Sequence, residues 1–342
     1  MTPPNHALDV RRTLRYLRIA VTSRCNLRCI YCRPPKGPAP GEPEGTEGQD
    51  LLTRDEIVRF VRLAVECGIH KVRVTGGEPL LRDDILDLVR DLAATPGLSD
   101  LGLTTNGTLL APLAPKLRAA GLRRINIGLS ALTPEVYHRV TRVGSAEDAL
   151  AGLGAALDAG FDPVKVNVVV MRGVNDGEIA ALAALTRDAP TQVRFVEYMP
   201  FRTSEPPETS GLADAAGGAQ AARVVAAEEI LARLRQLGDL SPLPARRGAA
   251  ASRCYRIAGH KGTVGVIAPH SAPFCHACNR VRLTADGRLR SCLIEGGEQD
   301  ILPLLRRGMD RETMQRLLAA AAAAKPARHH GSFRGRMHQI GG

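Results

Sequence analysis

Short runs of apolar and β-branched residues recur along the amino-terminal part of the chain. Each is followed by a stretch whose apolar positions repeat every three or four residues. Leu17–Thr22, Lys71–Thr75, Leu101–Thr105, Arg124–Leu129, Lys165–Val170 and Gln192–Val196 predict strands. Thr53–Glu66, Asp83–Ala94, Ala111–Ala120, Ala146–Ala159 and Asp176–Arg187 predict amphipathic helices between them. Thr53 or Asp55 opens the first helix and Gly68 closes it, while Gly121 and Gly160 follow the ends of two others. Strands that alternate with helices pair in parallel through right-handed crossovers. Six such units are too few to close an eight-stranded barrel. The predicted fold is therefore α/β, a partial (β/α)6 barrel with its functional groups beyond the carboxyl ends of the strands.

The pattern changes after Leu240. Arg253–Ala258 and Thr263–Ala268 read as paired strands, followed by a cysteine-bearing loop and a hairpin around Asp286-Gly287. Helical segments Leu302–Arg307 and Asp310–Ala324 close this region. The expected division is an N-terminal tail (1–10), a barrel (11–240), a smaller C-terminal α+β domain (241–328) and a C-terminal tail (329–342). Pro34–Asp50 and Arg202–Ala222, rich in Pro, Gly, Glu, Ser and Ala, read as loops.

Only 3% of the 342 residues are aromatic and Trp is absent, so the core must rest on Leu, Val, Ile and Ala. The formal net charge of +11 favours an anionic partner. No continuous basic run is present, which argues for a small phosphate-bearing ligand and against nucleic acid. Met1–Arg18 lacks the apolar core of a signal peptide, and Leu317–Ala324 is too short to span a bilayer. The expectation is a cytoplasmic protein with no membrane partner. In that reducing compartment the eight cysteines are metal ligands or buried thiols, not disulfides. Cys67 and Cys254 stand alone and read as buried thiols.

Cys25, Cys29 and Cys32 form a C-x3-C-x2-C triplet directly after the first strand. Zinc normally takes four ligands, and no fourth Cys or His lies beside the triplet. A cubane iron-sulfur cluster can use three thiolates and leave one iron open. With Tyr31 before the last cysteine, the triplet resembles that of the radical S-adenosylmethionine (SAM) superfamily. The resemblance implies a 4Fe-4S cluster whose open iron binds SAM and whose electron yields a 5′-deoxyadenosyl radical. Thr75-Gly76-Gly77-Glu78-Pro79, after the second strand, resembles the superfamily's loop for the SAM amino group, with Glu78 as a carboxylate for the ammonium. Thr104-Thr105-Asn106-Gly107 also resembles the family pattern.

Cys275, Cys278 and Cys292 form a second triplet, C-x2-C-x13-C. By residue chemistry alone it suits zinc, with His270 or His276 as the fourth ligand. Its surroundings point elsewhere. Arg280 and Arg282 alternate and share a face if extended, which suits bidentate phosphate binding.

From Arg15 to the last residue the chain is similar to the GTP 3′,8-cyclase family of molybdenum cofactor biosynthesis (MoaA). The shared residues include Leu17-Arg18, Lys71-Val72-Arg73, Lys165-Val166-Asn167, Val193-Arg194-Phe195-Val196-Glu197-Tyr198-Met199, Phe274-Cys275-His276-Ala277-Cys278-Asn279-Arg280-Val281-Arg282 and the terminal Ile340-Gly341-Gly342. The resemblance implies conversion of GTP to 3′,8-cyclo-7,8-dihydro-GTP by a radical SAM lyase. It implies a second 4Fe-4S cluster on the second triplet, facing the guanine. Arg18, Lys71, Arg73, Thr104, Lys165, Arg194, Arg280 and Arg282 would contact GTP. Tyr31, Gly77, Glu78, Gly128 and Met199 would surround SAM. Arg18 and the tail glycines Gly341 and Gly342 would assist catalysis. The implied partners are GTP, an electron donor and the next enzyme, cyclic pyranopterin monophosphate synthase, as product acceptor; the resemblance also allows a homodimer.

One departure stands out. The family usually has a Ser in the fourth strand two residues ahead of an Asp, and here those positions are Gly128 and Ser130. One SAM contact and one nearby carboxylate are thereby missing. The alternatives are another radical SAM enzyme with an auxiliary cluster, acting on a peptide or RNA, and an iron-sulfur or zinc module without enzymatic activity. The cationic set and the double-glycine tail disfavour the first, and the Gly-Gly-Glu-Pro loop disfavours the second.

Overall fold

The structure, a computed structural model, describes residues 13–32, 51–200, 221–244, 252–329 and 340. Pro34–Asp50, all but the last two positions of Arg202–Ala222, and Gly341-Gly342 lie outside the described residues.

The first half runs β1 (Tyr16–Ala20), α1 (Arg54–Glu66), β2 (Lys71–Thr75), α2 (Ile85–Ala93), β3 (Asp100–Thr105), α3 (Ala114–Ala119), β4 (Arg124–Gly128), α4 (Pro134–Thr141), α5 (Ala146–Asp158), β5 (Val164–Val170), α6 (Ile179–Ala184) and β6 (Gln192–Glu197). Then come α7 (Ala227–Arg235), β7 (Leu240–Pro242), β8 (Arg253–Ile257), β9 (Thr263–Ile267), β10 (Arg280–Leu283), β11 (Arg288–Cys292), β12 (Gly296–Asp300), α8 (Leu302–Arg306) and α9 (Arg311–Ala323).

Strands β1 to β6 pair in chain order and in parallel, which makes the partial (β/α)6 barrel. The C-terminal strands continue this sheet on both sides. β9 lies parallel on β6, and β10 lies parallel on β1. Antiparallel β8 and β7 extend one side, and antiparallel β11 and β12 the other. The described residues thus form one sheet of 12 strands.

Alternation along the strands decides what faces where. In β5, Val164, Val166, Val168 and Val170 are buried, while Lys165, Asn167 and Val169 point into the barrel. In β1, Leu17 and Ile19 are fully buried, while Tyr16 and Arg18 face inward. In β6, Val193 and Phe195 are buried, leaving Gln192 and Arg194 inside. The apolar faces meet the helices; Ile57, Phe60 and Val61 of α1 are fully buried in that layer. A capping box starts α1: Glu56 N–H donates to Thr53 Oγ1, and Thr53 N–H donates to Glu56 Oε2.

Helix α4 was not apparent as a separate element in the sequence, and neither was α7. The predicted helix Asp176–Arg187 is shorter: a 3-10 turn at Asp176–Glu178 leads into α6. The buried Glu178 carboxylate bends the start inward, accepting hydrogen bonds from Leu132 N, Thr133 N and Thr133 Oγ1.

Candidate active site

A cavity of about 1220 Å³ fills the barrel. At the carboxyl end of β1, Cys25, Cys29 and Cys32 line it on one short loop. Cys32 N–H closes a turn on Cys29 O at 2.9 Å. Arg28 and Ile30 donate their N–H groups to Thr141 O and Val140 O, which pins the loop to the end of α4. From the other side Gly77 N–H donates to Thr22 O at 2.7 Å. A Cβ on Gly77 would stand 2.1 Å from Arg24 O, so only glycine permits this approach. Leu27 N–H, at 3.4 Å, and Asn106 Nδ2, at 3.9 Å, donate toward Cys25 Sγ. N–H groups aimed at sulfur fit a ligating thiolate.

Tyr31, Gly128 and Met199 line the same part of the cavity. Burial, together with the nearby Cys29 and Cys32, raises the Tyr31 hydroxyl well above its ordinary value and keeps it protonated. Glu78 does not reach the cavity surface. It is fully buried; Oε1 accepts from Leu80 N and Thr105 Oγ1, and Oε2 accepts from Asn106 N. These three donors do not fully offset burial, and the carboxyl sits at about 7. Its observed work is to tie the loop after β2 to the loop after β3.

Deeper in the barrel, Arg18, Arg73, Lys165, Arg194 and Arg282 converge, with Thr104, Lys71 and Arg280 also on the wall. Arg18 pairs in register with Arg73 on one side and Arg282 on the other. Gly102 lies opposite Arg73, and a Cβ there would stand 2.3 Å from the Arg73 guanidinium. The bare backbone lets that side chain lie across β3. Burial, then Arg194 and Arg73, brings Lys165 down to about 7. Burial and neighbouring cations likewise bring Arg194 and Arg282 to about 9. The Nε atoms of Arg73, Arg194 and Arg282 are buried without a hydrogen-bond partner. Such a set fits an anion with several negative charges.

Tyr16, at the amino end of β1, was not singled out in the sequence. Lys71 lies 5.0 Å above its ring, and Arg280 stands 5.6 Å from it and 5.1 Å from the Phe274 ring. Burial raises the Tyr16 phenol, but Arg73, Arg18 and Arg280 outweigh it and bring it to about 7.

The second triplet does not line the cavity directly; Phe274, Arg280, Arg282 and Leu293 lie on the wall beside it. Its location differs from the expectation that functional groups sit beyond the carboxyl ends. Cys275 and Cys278 precede β10, which runs parallel to β1. Cys292 ends the antiparallel β11, near Arg280. The triplets therefore lie beyond opposite ends of the neighbouring strands β1 and β10. Burial would raise the Cys278 thiol, but Lys325, Arg280 and Arg282 hold it below its ordinary value. That too fits a metal-bound thiolate.

Residues 19–186 match the family model of the radical SAM superfamily, and residues 191–331 match Molybdenum Cofactor Synthesis C. SuiB of Streptococcus suis shares the fold, with a TM-score of 0.56 at 13% identity over 87% of this chain and 66% of that one. The barrel and its cysteine loop thus define a radical SAM enzyme. The chain is 45% identical over 339 residues to a GTP 3′,8-cyclase of Moorella thermoacetica, covering 97% of this chain and 98% of the relative. It is 41% identical over 319 residues to molybdenum cofactor biosynthesis protein 1 of Bos taurus, covering 93% of this chain and 47% of that protein. It belongs to the GTP 3′,8-cyclase family. Its cofactors are SAM and 4Fe-4S clusters, two of which are typical of the family. No helix among the described residues is long and apolar enough to cross a membrane.

Proposed function

We propose that the cavity holds GTP between the two cysteine triplets and cyclises it to 3′,8-cyclo-7,8-dihydro-GTP, the first step of molybdenum cofactor biosynthesis. The observation that carries this reading is the inward-facing row of Arg18, Arg73, Lys165, Arg194 and Arg282 between the triplets, in which Arg73 and Arg282 are buried. These cations repel one another and lower each other's proton affinity. A triphosphate relieves that repulsion and supplies acceptors for the buried Nε atoms. Lys71, Thr104 and Arg280 complete its contacts.

Cys25, Cys29 and Cys32 hold the first cluster, and Cys275, Cys278 and Cys292 the second. A 4Fe-4S cluster held on the first triplet would supply, with SAM, the one-electron chemistry that starts the reaction. Gly77, Tyr31, Gly128 and Met199 surround SAM, and Glu78 acts on it by fixing the glycine loop. Arg18, Gly341 and Gly342 assist the chemistry by positioning GTP against the radical and excluding water. Residues 11–240 carry the SAM half of the site, residues 241–328 the second cluster, and 329–342 the tail. An electron donor supplies the reductant, and cyclic pyranopterin monophosphate synthase takes up the product. The protein acts in the cytoplasm, and a homodimer is part of this reading.

The test is anaerobic reconstitution followed by iron and sulfide counting, then incubation with SAM, GTP and a reductant. About eight irons per chain and formation of the cyclised nucleotide are expected. SAM cleavage with GTP recovered unchanged would overturn the reading.

A further inference from the structure

Lys325 follows α9 and is only 9% exposed. A lysine is seldom buried this far without a partner. Its ammonium group donates to Ser291 O at 2.7 Å and points at Cys278 Sγ from 3.6 Å. The carbonyl bond anchors it: α9 packs on β11, and Ser291 lies on β11 next to Cys292. The nearby Arg290 behaves differently. It bonds the carbonyls of Cys292 and Leu293 and pairs with Glu298, so its charge is met by a carboxylate.

We propose that Lys325 is a positioning residue that sets the reduction potential of the second cluster, by holding a fixed positive charge and a hydrogen-bond donor against the Cys278 sulfur. The inference rests on the reading that Cys275, Cys278 and Cys292 hold that cluster. Hydrogen bonds to sulfur and net local charge are two levers on the potential of such a cluster. Reduction adds negative charge, which an adjacent ammonium stabilises. Arg280 and Arg282 also stand near these thiols, but they are on the cavity wall and face the substrate. Their charge is taken up when a polyanion binds. Lys325 approaches from the protein side, so its charge stays with the sulfur whether or not substrate is present.

The experiment is a redox titration of anaerobically reconstituted full-length protein followed by electron paramagnetic resonance. It compares the unchanged chain with Lys325→Met and Lys325→Arg, each with and without SAM. The wave that SAM shifts belongs to the first cluster. The wave that SAM leaves unchanged should move to lower potential in Lys325→Met and return toward its original position in Lys325→Arg. The first wave should stay in place. If Lys325→Met instead loses half its iron while Lys325→Arg keeps it, the lysine is needed to retain the cluster and the proposal that it sets the potential is overturned. An unmoved second wave with full iron, or equal loss of iron in both variants, overturns the proposal. A failure of the underlying reading shows itself separately, as about four irons in the unchanged protein.

Discussion

Ile340 packs against Cys32 and is only 4% exposed. It also meets Met199 and Leu293, the residue after Cys292. The side chain before the terminal glycines is thus anchored between the neighbourhoods of the two triplets. Removing Gly341 and Gly342 leaves this anchor intact. Iron content, thermal midpoint and GTP affinity should stay nearly unchanged, while product formation falls on the order of 100-fold, as expected when a positioning element is lost. Turnover and melting of the full-length and truncated chains decide this; product at the full-length rate would leave the glycines without a role.

Arg194 is expected to show opposite effects on the free and the bound protein. Arg194→Met removes one of the mutually repelling cations, so the ligand-free protein should melt at a higher temperature. The same change should weaken GTP binding by roughly 1.5–3 kcal/mol, or about 10- to 150-fold, while SAM binding changes little. Titration calorimetry with each ligand gives the answer, and an equal loss for both would point to misfolding.

Lys165 links the site to pH. Its folded value is about 7 against an ordinary 10.5. Between those values the unfolded chain carries a proton that the folded chain lacks, so this group makes ligand-free stability rise with pH from about 7 to 10.5. Tyr16, lowered from 10.0 to about 7, acts in the same direction. A triphosphate beside them favours the protonated forms of both. GTP binding near pH 8 should therefore take up protons, seen as a binding enthalpy that depends on the buffer's ionisation heat. Proton release would contradict the assignment.

Gly128 leaves room in the SAM half of the cavity. A Cβ there would meet only Thr105 O, at an unstrained 3.8 Å. Ser130, two residues on, accepts from Val169 N at 3.2 Å. Gly128→Ser should thus fold without penalty and tighten SAM roughly 2- to 10-fold, the worth of one neutral hydrogen bond. Equilibrium binding of SAM checks this; weaker binding would mean that the site has adapted to the glycine.

Both the barrel and the triplets were legible because their signals are local. The valine-rich run Lys165–Val170 marks β5 as a strand from the sequence alone. Cys25, Cys29 and Cys32 fall on one loop whatever the rest of the chain does. The placement of the second triplet was not legible, since it depends on β10 docking beside β1 in one register. Nothing near Cys278 announces that pairing. The direction of Glu78 was equally hidden. Its motif suggested a ligand, but Thr105 and Asn106, one β/α unit later, draw the carboxylate inward. Tyr16 escaped notice because an aromatic at a strand start has no meaning until Lys71 and Arg280 flank it.

The parallel seat of β10 on β1 also governs the order in which this molecule can assemble. Tyr16 is among the earliest described residues to leave the ribosome, and its neighbour Arg280 among the later ones. Until then β1 has a partner on one side only, and its other edge stays open to unwanted pairing. The six-stranded half can form while synthesis continues, because its contacts run between successive units. The wall carrying Arg280 and Arg282 arrives late, through a long-range contact that slows folding. A prematurely ended chain would hold the first cysteine loop beside a cavity that lacks this wall.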